Sequence, residues 1–596
     1  MSVFNFNPGD SLGEVRSIET SRISVRVTES DKLRRARVGR LVAIQISYDE
    51  WLIGCIDRVW RHPVEVETLV DGDVADSGEP DYPIEENGVQ VSLVGTYRAR
   101  EGKKYDLFSR AVAVLPEINQ HVYPIEDAAL EGFMGILSKS TEKEVATPLA
   151  VGTYALDGKA IAYLDGDKLF QRHAAVLGST GSGKSWTIAS FLEQAAQLKH
   201  ANLVVFDLHG EYNSMSFAKR FRIAGPNDLN SAEEHVLFLP YWLLSYDEMQ
   251  SIFIDRTEQN APNQAMALLD SITAIKKASL KDMKKEDILE AFTVDAPIPF
   301  DLNQLIINLE AKNTEEIETG ELYASGAKKG EPKTKQGPLH NRLTRFIIRL
   351  KSKINDRRYG FMYQAPESYD KYESLHELVE KLMGHGHGKS SKINRGVKII
   401  DFSEVPSDVL PVIVSLVARL VFQVQFWSDP GADGDSRHPI ALVCDEAHLY
   451  LPSRREEMNS LEKRALDNFE RIAKEGRKYG VGLILISQRP SDVSTTILSQ
   501  CNNIISLRLT NKMDQGVVRQ LLPESLEGIM EVLPTLDIGE AVVVGDSVLL
   551  PTRIKIHEPT YKPRSATVDF WQRWMQPKEA GNLASAVESL RKQSRG

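Results

Sequence analysis

Residues 178–185 read Gly-Ser-Thr-Gly-Ser-Gly-Lys-Ser, and this stretch indicates the class of fold. The apolar run Ala174-Ala175-Val176-Leu177 precedes it, and apolar residues at helical spacing follow it. A G-x-x-x-x-G-K-S loop between a strand and a helix predicts a phosphate-binding P-loop. Its glycines let backbone N–H groups wrap phosphate oxygens, and the N-terminus of the following helix adds positive potential.

The P-loop spacing assigns chemistry to each position. The predicted nucleotide-binding residues are Gly178, Ser179, Thr180, Gly181, Ser182, Gly183, Lys184 and Ser185. Lys184 is expected to reach the terminal phosphates of ATP, and Ser185 to ligate Mg²⁺. The alternative is a Gly/Ser-rich turn that binds nothing. The order of strand, loop and helix along the chain disfavours this alternative.

A second apolar strand, 440–444, delivers two adjacent carboxylates, Asp445 and Glu446. This is the pattern of a Walker B strand, in which Asp445 would hold Mg²⁺ through water and Glu446 would polarise the attacking water. An acidic pair after a buried strand also caps helices on a protein surface. The P-loop upstream favours the catalytic interpretation.

Two further polar groups are candidates for catalysis. Gln488 follows the apolar strand 483–487, where ligands bind in open α/β sheets, so it could sense the terminal phosphate; the alternative is a capping turn. Arg477 follows a helix predicted over 461–475 and could act as an arginine finger on the nucleotide of a neighbouring subunit. It could equally compensate the helix dipole, and Arg471 and Arg508 are rivals for the finger.

Composition limits the class of protein. A chain of 596 residues exceeds one hydrophobic core, so several domains are expected. The net charge of −11 argues against coating nucleic acid with the whole surface, although a locally basic channel remains compatible. Three widely spaced cysteines fit a reducing, cytoplasmic setting. The apolar segment 412–426 is too short and polar for a membrane span, so no membrane association is expected.

The pattern along the chain predicts several domains. Residues 1–115 alternate as in a small β-barrel, and 116–149 form a linker. An ATPase core of alternating strands and helices covers 150–245 and 396–560. A helical insertion occupies 246–395, with helices at 247–279 and 339–356 and a mobile polar loop at 324–337. A polar tail, 561–596, holds two short helix candidates, and residues 71–87 are expected to form a loop.

Two basic stripes are candidates for DNA contact. One contains Arg342, Arg345 and Arg349, with Lys353 nearby; the other contains Lys276, Lys277, Lys281, Lys284 and Lys285. Acidic neighbours make a solvated helix face the preferred interpretation of the lysine stripe.

Residues 384–390 resemble a second P-loop, but Met383 replaces the required first glycine, so a flexible loop is expected there. No structural metal is predicted, because the histidines lack partners at ligand spacing.

Five strings of residues together carry a family resemblance. They are the P-loop 178–185, Asp207-Leu208-His209-Gly210-Glu211-Tyr212, Asp445-Glu446-Ala447-His448, Glu475-Gly476-Arg477-Lys478-Tyr479-Gly480 and Ser487-Gln488-Arg489-Pro490-Ser491. In order and context they resemble the HerA group of the HerA/FtsK ATPases. The N-terminal barrel is similar to the one that HerA proteins share with rotary ATP synthase subunits.

The resemblance implies a RecA-like motor, a homo-hexamer with ATP sites between subunits and double-stranded DNA in its centre. It also implies a separate partner on the barrel ring, either a nuclease or a sirtuin-like NAD-hydrolysing effector, in DNA-end processing or anti-phage defence. The leading hypothesis is therefore an ATP-driven DNA translocase or helicase. The alternative is an ATP-binding ring that assembles and activates a defence effector, with translocation secondary.

Overall fold

The computed structural model describes residues 3–63, 85–99, 107–112, 114–139, 149–231, 233–322, 332–384, 396–431, 437–456, 458–522, 527–565, 570–575 and 583–593. The chain forms two compact units. The first comprises Met1–Gln197, Glu446–His448 and Gly482–Lys562, and the second comprises Leu198–Asp445, Leu449–Val481 and Pro563–Gly596.

The N-terminal part of the first unit is a β-barrel with two accompanying helices. Its elements are β1 (Gly13–Ile18), β2 (Arg22–Arg26), α1 (Ser30–Arg35), β3 (Leu41–Gln45), β4 (Glu50–Pro63), β5 (Glu85–Arg98), β6 (Leu107–Ser109), β7 (His121–Pro124) and α2 (Asp127–Lys139). The strands run in the order β2-β1-β7-β3-β4-β5, and β5 pairs back with β2, which closes the ring. β6 extends β5 outside this ring.

Alternating apolar side chains build the barrel interior, as the sequence predicts. Val15, Val25, Ile44, Leu52 and Val91 are among the residues of one buried cluster. The predicted loop at 71–87 is wrong at its end, because residues 85–87 pair with 61–63 in the β4–β5 ladder. Cross-strand pairing there overrides an acidic composition that is unfavourable for strands. Residues 71–84 lie outside the described residues.

The next part of the chain carries the P-loop and its flanking elements. These are β8 (Leu149–Tyr154), β9 (Asp157–Leu164), α3 (Gly166–Gln171), β10 (Ala174–Leu177), α4 (Lys184–Ala196) and β11 (Asn202–Asp207). α4 buries Ile188, Phe191, Leu192 and Ala195, four of the five apolar positions at helical spacing in the sequence. The fifth, Leu198, lies beyond the end of α4 and is 54% exposed, so the apolar face ends earlier than predicted.

Short strands and helices follow between residues 219 and 383. They are β12 (Lys219–Ile223), β13 (Val236–Leu237), α5 (Tyr246–Phe253), α6 (Ala261–Asp282), α7 (Glu286–Glu290), α8 (Leu302–Thr314), β14 (Glu316–Leu322), β15 (Pro332–Gln336), α9 (Thr344–Asn355), α10 (Gly360–Tyr363) and α11 (Ser374–Met383).

The sheet pattern then resumes. The elements are β16 (Gly396–Asp401), α12 (Leu410–Trp427), β17 (Ile440–Cys444), α13 (Ser460–Glu475), β18 (Val481–Ser487), α14 (Thr495–Leu498), β19 (Asn503–Leu507), α15 (Lys512–Gln520), α16 (Glu527–Met530), β20 (Glu540–Gly545), β21 (Thr552–Ile556), α17 (Phe570–Met575) and α18 (Leu583–Lys592).

Each unit contains its own run of paired strands. In the first unit the order is β18-β10-β19-β20-β21-β8-β9, and the P-loop strand β10 is parallel to both of its neighbours. In the second unit the order is β13-β12-β16-β11-β17, and all of these pairs are parallel. The predicted fold class is confirmed: a P-loop α/β protein with an N-terminal β-barrel and an inserted helical region.

Contacts within the first unit join the barrel to the strands beyond β19. The Arg110 guanidinium donates hydrogen bonds to the carbonyl oxygens of Gly545 at 2.6 Å and Leu549 at 3.1 Å, and also to Val548. Gly528 packs so closely on β4 that a Cβ there would lie 2.3 Å from the Asp57 carbonyl oxygen.

The insertion differs from prediction in two places. The helix expected over 247–279 is two helices, because Asp255 Oδ1 accepts a hydrogen bond from the Thr257 N–H at 2.9 Å and Pro262 lies in the first turn of α6. Part of the polar segment 324–337 is strand β15, which pairs with β14. Residues 324–331, and 385–390 of the predicted flexible loop, lie outside the described residues.

Two helices differ sharply in burial. α12 is long and apolar enough to cross a membrane by length and composition, but most of it is buried within the second unit, where it packs on α13. α17 is the opposite, because Phe570, Trp571, Trp574 and Met575 are all more than half exposed.

Gly482 on β18 provides a test of packing beside the P-loop strand. A Cβ at this position would lie 2.2 Å from the Phe170 carbonyl oxygen, so Gly482→Ala must displace backbone. We expect the midpoint of thermal unfolding of the first unit to fall, with a destabilisation of about 1–3 kcal/mol. Gly516→Ala is the matched control, since nothing lies within 4 Å of its Cβ position in α15. The control should be neutral or stabilising, and equal effects of the two variants would contradict the packing argument.

Candidate active site

The P-loop bends from β10 into α4 through two glycines in the left-handed region. Gly181 has φ of 73° and Gly183 has φ of 106°. Residues with side chains rarely adopt such angles, so the spacing of the glycines fixes the path of the loop. A Cβ on Gly183 would also lie 3.2 Å from the Gly539 backbone nitrogen.

Main-chain hydrogen bonds fix the loop to neighbouring segments of the first unit. The Ser179 N–H donates to the Arg508 carbonyl at 2.8 Å, and the Gly539 N–H donates to the Ser182 carbonyl at 3.0 Å. The Gly178 N–H approaches the Ser487 carbonyl at 3.3 Å. Residues at the ends of β18 and β19 therefore set the loop geometry.

Lys184 is the buried cation of the loop. Its side chain lies in the first turn of α4, and its Nζ lies 3.3 Å from the Ser179 carbonyl oxygen. Ser185 is the next residue of the same turn and is half-buried. An ammonium group and a hydroxyl at a helix N-terminus beside left-handed glycines fit a bound polyphosphate with its metal ion.

Gln488 contacts the P-loop directly. The Thr180 hydroxyl donates a 2.6 Å hydrogen bond to Gln488 Oε1. Thr180 and Gly181 form the exposed tip of the loop, whereas β18, which precedes Gln488, is buried along its whole length. The structure thus brings the predicted sensor residue to the phosphate-binding loop.

Glu446 stands in an unusual backbone conformation. Its φ is 44°, in the left-handed region, which costs free energy for a residue with a side chain. Glu446 Oε2 lies 3.2 Å from His448 Nδ1, and that nitrogen lies 3.5 Å from Ser487 Oγ. Both side chains of the Glu446–His448 pair are mostly buried, at 14% and 11% exposure.

Asp445 belongs to the second unit, and the chain passes into the first unit at Glu446. The Asp445 residue is buried after β17. Its carbonyl oxygen accepts a 3.0 Å hydrogen bond from the Tyr450 hydroxyl, and its N–H approaches the Phe206 carbonyl at 3.4 Å. The main chain at the predicted metal-binding carboxylate is therefore fixed from both sides.

Asp207 organises the segment Asp207-Leu208-His209-Gly210-Glu211-Tyr212. Its Oδ1 accepts hydrogen bonds from the backbone N–H groups of Gly210 at 2.8 Å and Glu211 at 3.0 Å, with His209 at 3.3 Å, and its Oδ2 accepts one from Tyr212 at 3.0 Å. Burial raises the pKa of Asp207 to about 6, and the nearby Asp401 charge adds to the rise, against these hydrogen bonds. The carboxylate thus has a structural role in folding the segment.

The three arginines considered for the finger differ in their surroundings. Arg471 lies 3.3 Å from Glu475, and its guanidinium stacks 5.2 Å from the Phe422 ring centre. Arg477 is exposed after α13, and within the described residues no ion pair or side-chain hydrogen bond involves it. Arg508 is half-buried, and its main-chain carbonyl holds the P-loop. Arg471 thus has an ion-pair and a ring partner within its own chain, whereas the Arg477 guanidinium has neither among the described residues.

Burial also separates the members of the basic stripes. Arg349 forms an ion pair with Glu258 and donates to the Phe253 carbonyl at 3.1 Å. Lys276 is fully buried, and its Nζ donates to the Val294 and Ala296 carbonyls at 2.8 and 2.7 Å. Burial lowers the pKa of Lys276 to about 8. The prediction that Lys276 is a candidate for DNA contact at the surface is therefore wrong.

Sequence reasoning assigned no role to His448 or Ser487, although both stand in the motifs that carry the resemblance. The only available signal was position, because His448 comes two residues after Glu446 and Ser487 immediately before Gln488. Their mutual approach is a tertiary contact between segments that lie 39 residues apart.

Comparison with known proteins finds similarity over the part of the chain that carries the P-loop. Residues 149–421 match the family model described as the central domain of helicase HerA. The chain is 28% identical over 458 residues to the DNA double-strand break repair helicase HerA of Sulfolobus acidocaldarius, covering 75% of this chain and 78% of that protein. It is also 28% identical over 396 residues to the probable helicase MJ1565 of Methanocaldococcus jannaschii, covering 66% of this chain and 64% of that protein, just under two thirds of its length.

Among solved structures, the bacterial conjugative coupling protein TrwBdeltaN70 is 15% identical, with a TM-score of 0.42 over 72% of this chain and 93% of that one. The part of the chain that carries the P-loop is thus similar to the HerA helicase family, over a match that spans slightly less than half of the chain.

Proposed function

We propose that this ATPase hydrolyses ATP with Mg²⁺ in a homo-hexameric ring and uses the energy to move double-stranded DNA. The observation that carries the proposal is the arrangement of Glu446 and Gln488 around the P-loop strand in a chain that is similar to the HerA helicase family. Relatives named as DNA double-strand break repair helicases support duplex DNA as the substrate of the motor.

The residues of the site divide the chemistry among them. The P-loop, 178–185, binds the phosphates through its backbone N–H groups and Lys184. Ser185 would hold Mg²⁺, which neutralises charge on the phosphates when bound. Glu446 orients the attacking water and accepts its proton, and Gln488 contacts the terminal phosphate from the end of β18.

The proposed ring places each ATP site between two subunits, so that the neighbouring copy can supply a second cation at the reacting phosphate. Arg477 is exposed and has no ion-pair partner within the described residues, so it is available to a neighbouring copy. A guanidinium there would stabilise the charge that develops on the transferred phosphoryl group. Arg471 and its acidic neighbour Glu475 are less suited, because that pair is satisfied within one chain.

DNA contact is assigned to the exposed members of the arginine stripe. Arg342 and Arg345 are exposed beside and on α9, whereas Arg349 is held by Glu258. Exposed guanidinium groups suit the tracking of a phosphate backbone, which needs no reading of base sequence. We place these two residues in the DNA channel of the ring.

The motor would act with a separate polypeptide docked on the barrel ring, either a nuclease or a sirtuin-like NAD-hydrolysing effector, in DNA-end processing or anti-phage defence. The closed barrel, β1 to β7 without β6, supplies a folded platform for such a partner. A ring that only assembles the effector is the competing function, and it predicts effector activity without ATP turnover.

Duplex-dependent ATP hydrolysis tests the motor. We expect linear double-stranded DNA to stimulate phosphate release by the wild-type protein, and Glu446→Gln to lower kcat by about 10²–10⁴-fold because the base is lost. Lys184→Ala should weaken nucleotide binding as well. Glu531→Gln is the matched control, because it makes the same chemical change on an exposed side chain far along the chain from Glu446.

The competing functions give opposite results in one assay. If the partner effector stays fully active with Lys184→Ala, the ring is a scaffold. If Glu446→Gln retains wild-type turnover, the assigned hydrolytic chemistry is wrong. Phosphate release and effector activity measured on the same assembled complex separate the two outcomes.

Arginine-finger function can be tested by mixing subunits. Arg477→Ala should lower kcat by about 10³-fold or more while leaving nucleotide affinity intact, because the finger acts on the transition state. Lys478→Ala, the adjacent exposed cation, should remain close to wild type. Mixed rings of Arg477→Ala and Lys184→Ala subunits should regain activity where an intact P-loop faces an intact arginine. Full activity of Arg477→Ala alone would transfer the role to Arg508.

A further inference from the structure

We propose that His448 is a positioning residue that holds the Glu446 carboxylate for water activation and couples it to the strand that contacts the P-loop. The inference rests on the proposed function, in which Glu446 accepts the proton of the attacking water. His448 itself has no contact with the reacting atoms in this assignment.

The Glu446 carboxylate faces the imidazole of His448. Glu446 Oε2 lies 3.2 Å from His448 Nδ1, within ion-pair distance. When this nitrogen carries a proton, it can donate to the carboxylate, because an ionised carboxylate only accepts hydrogen bonds. A donor at this distance restricts the rotation of the carboxylate.

Backbone geometry brings the two side chains together. The left-handed φ of Glu446 turns the chain sharply after β17, and Ala447–Leu449 form a single 3₁₀ turn in which Ala447 is buried. The turn returns His448 toward the side chain of Glu446. Low exposure of both side chains, 14% and 11%, reduces competition from water for the contact.

Ser487 connects this pair to the sensor strand. Its Oγ lies 3.5 Å from His448 Nδ1 and accepts a 3.0 Å hydrogen bond from the Arg489 N–H. The residue between them, Gln488, receives the hydrogen bond of Thr180 at the P-loop tip. A shift of β18 when nucleotide binds would therefore reach Glu446 through one serine and one histidine.

Steady-state kinetics on two substitutions of His448 test the inference. His448→Asn retains a nitrogen donor bonded to the same carbon as Nδ1, whereas His448→Leu has similar volume and no donor. We expect His448→Leu to lower kcat for ATP about 100-fold, with the dissociation constant for ADP within two-fold of wild type. His448→Asn should recover kcat to within about five-fold. His376→Leu, an exposed histidine paired with Glu380 on α11, is the control.

The possible results are distinguishable. Equal kcat losses for the leucine and asparagine variants, or a loss of ADP affinity that matches the loss of kcat, would show a merely structural role and overturn the inference. So would wild-type kcat in His448→Leu while Glu446→Gln is inactive. Wild-type kcat in Glu446→Gln would instead overturn the proposed function on which the inference rests.

Discussion

The close approach of backbone to backbone at the P-loop positions the residues of the candidate site. Gly183 lies beside the Gly539 nitrogen, where a Cβ would lie 3.2 Å away, and its left-handed conformation starts α4 in the correct direction. The same geometry places the loop between the ends of β18 and β19. Gln488 and Arg508 can therefore contact it with a side chain and a main-chain carbonyl respectively.

The most secure expectations from sequence concerned features that are local in the chain. The P-loop, the strand before Asp445 and the amphipathic helix α13 each follow from spacing within about fifteen residues. The alternation of buried positions in β1, β2 and β3 likewise predicted the barrel, whose interior is built by those same residues. In these places local preference and tertiary packing favour the same structure.

Sequence alone did not predict features that depend on distant partners. The sequence around Lys276 is typical of a surface lysine, but hydrogen bonds to two carbonyl groups 18 and 20 residues away hold its side chain in the interior. Arg349 is similarly withdrawn by Glu258, 91 residues away. The contact of His448 with Ser487 belongs to the same class. Periodicity identifies the face on which such residues stand, but it contains no information on what packs against them.

The exposed tryptophans of helix α17 have a consequence for the fluorescence of the protein. Trp571 and Trp574 are 72% and 71% exposed, whereas Trp242 in the second unit is 1% exposed. Indole fluorescence shifts to longer wavelength in water, so emission from the tail and from the interior differ in colour. Covering α17 with any other surface would move its emission toward the blue without an added dye. The indoles of α17 therefore report on the surroundings of that helix, together with Trp427 of α12, which is 81% exposed.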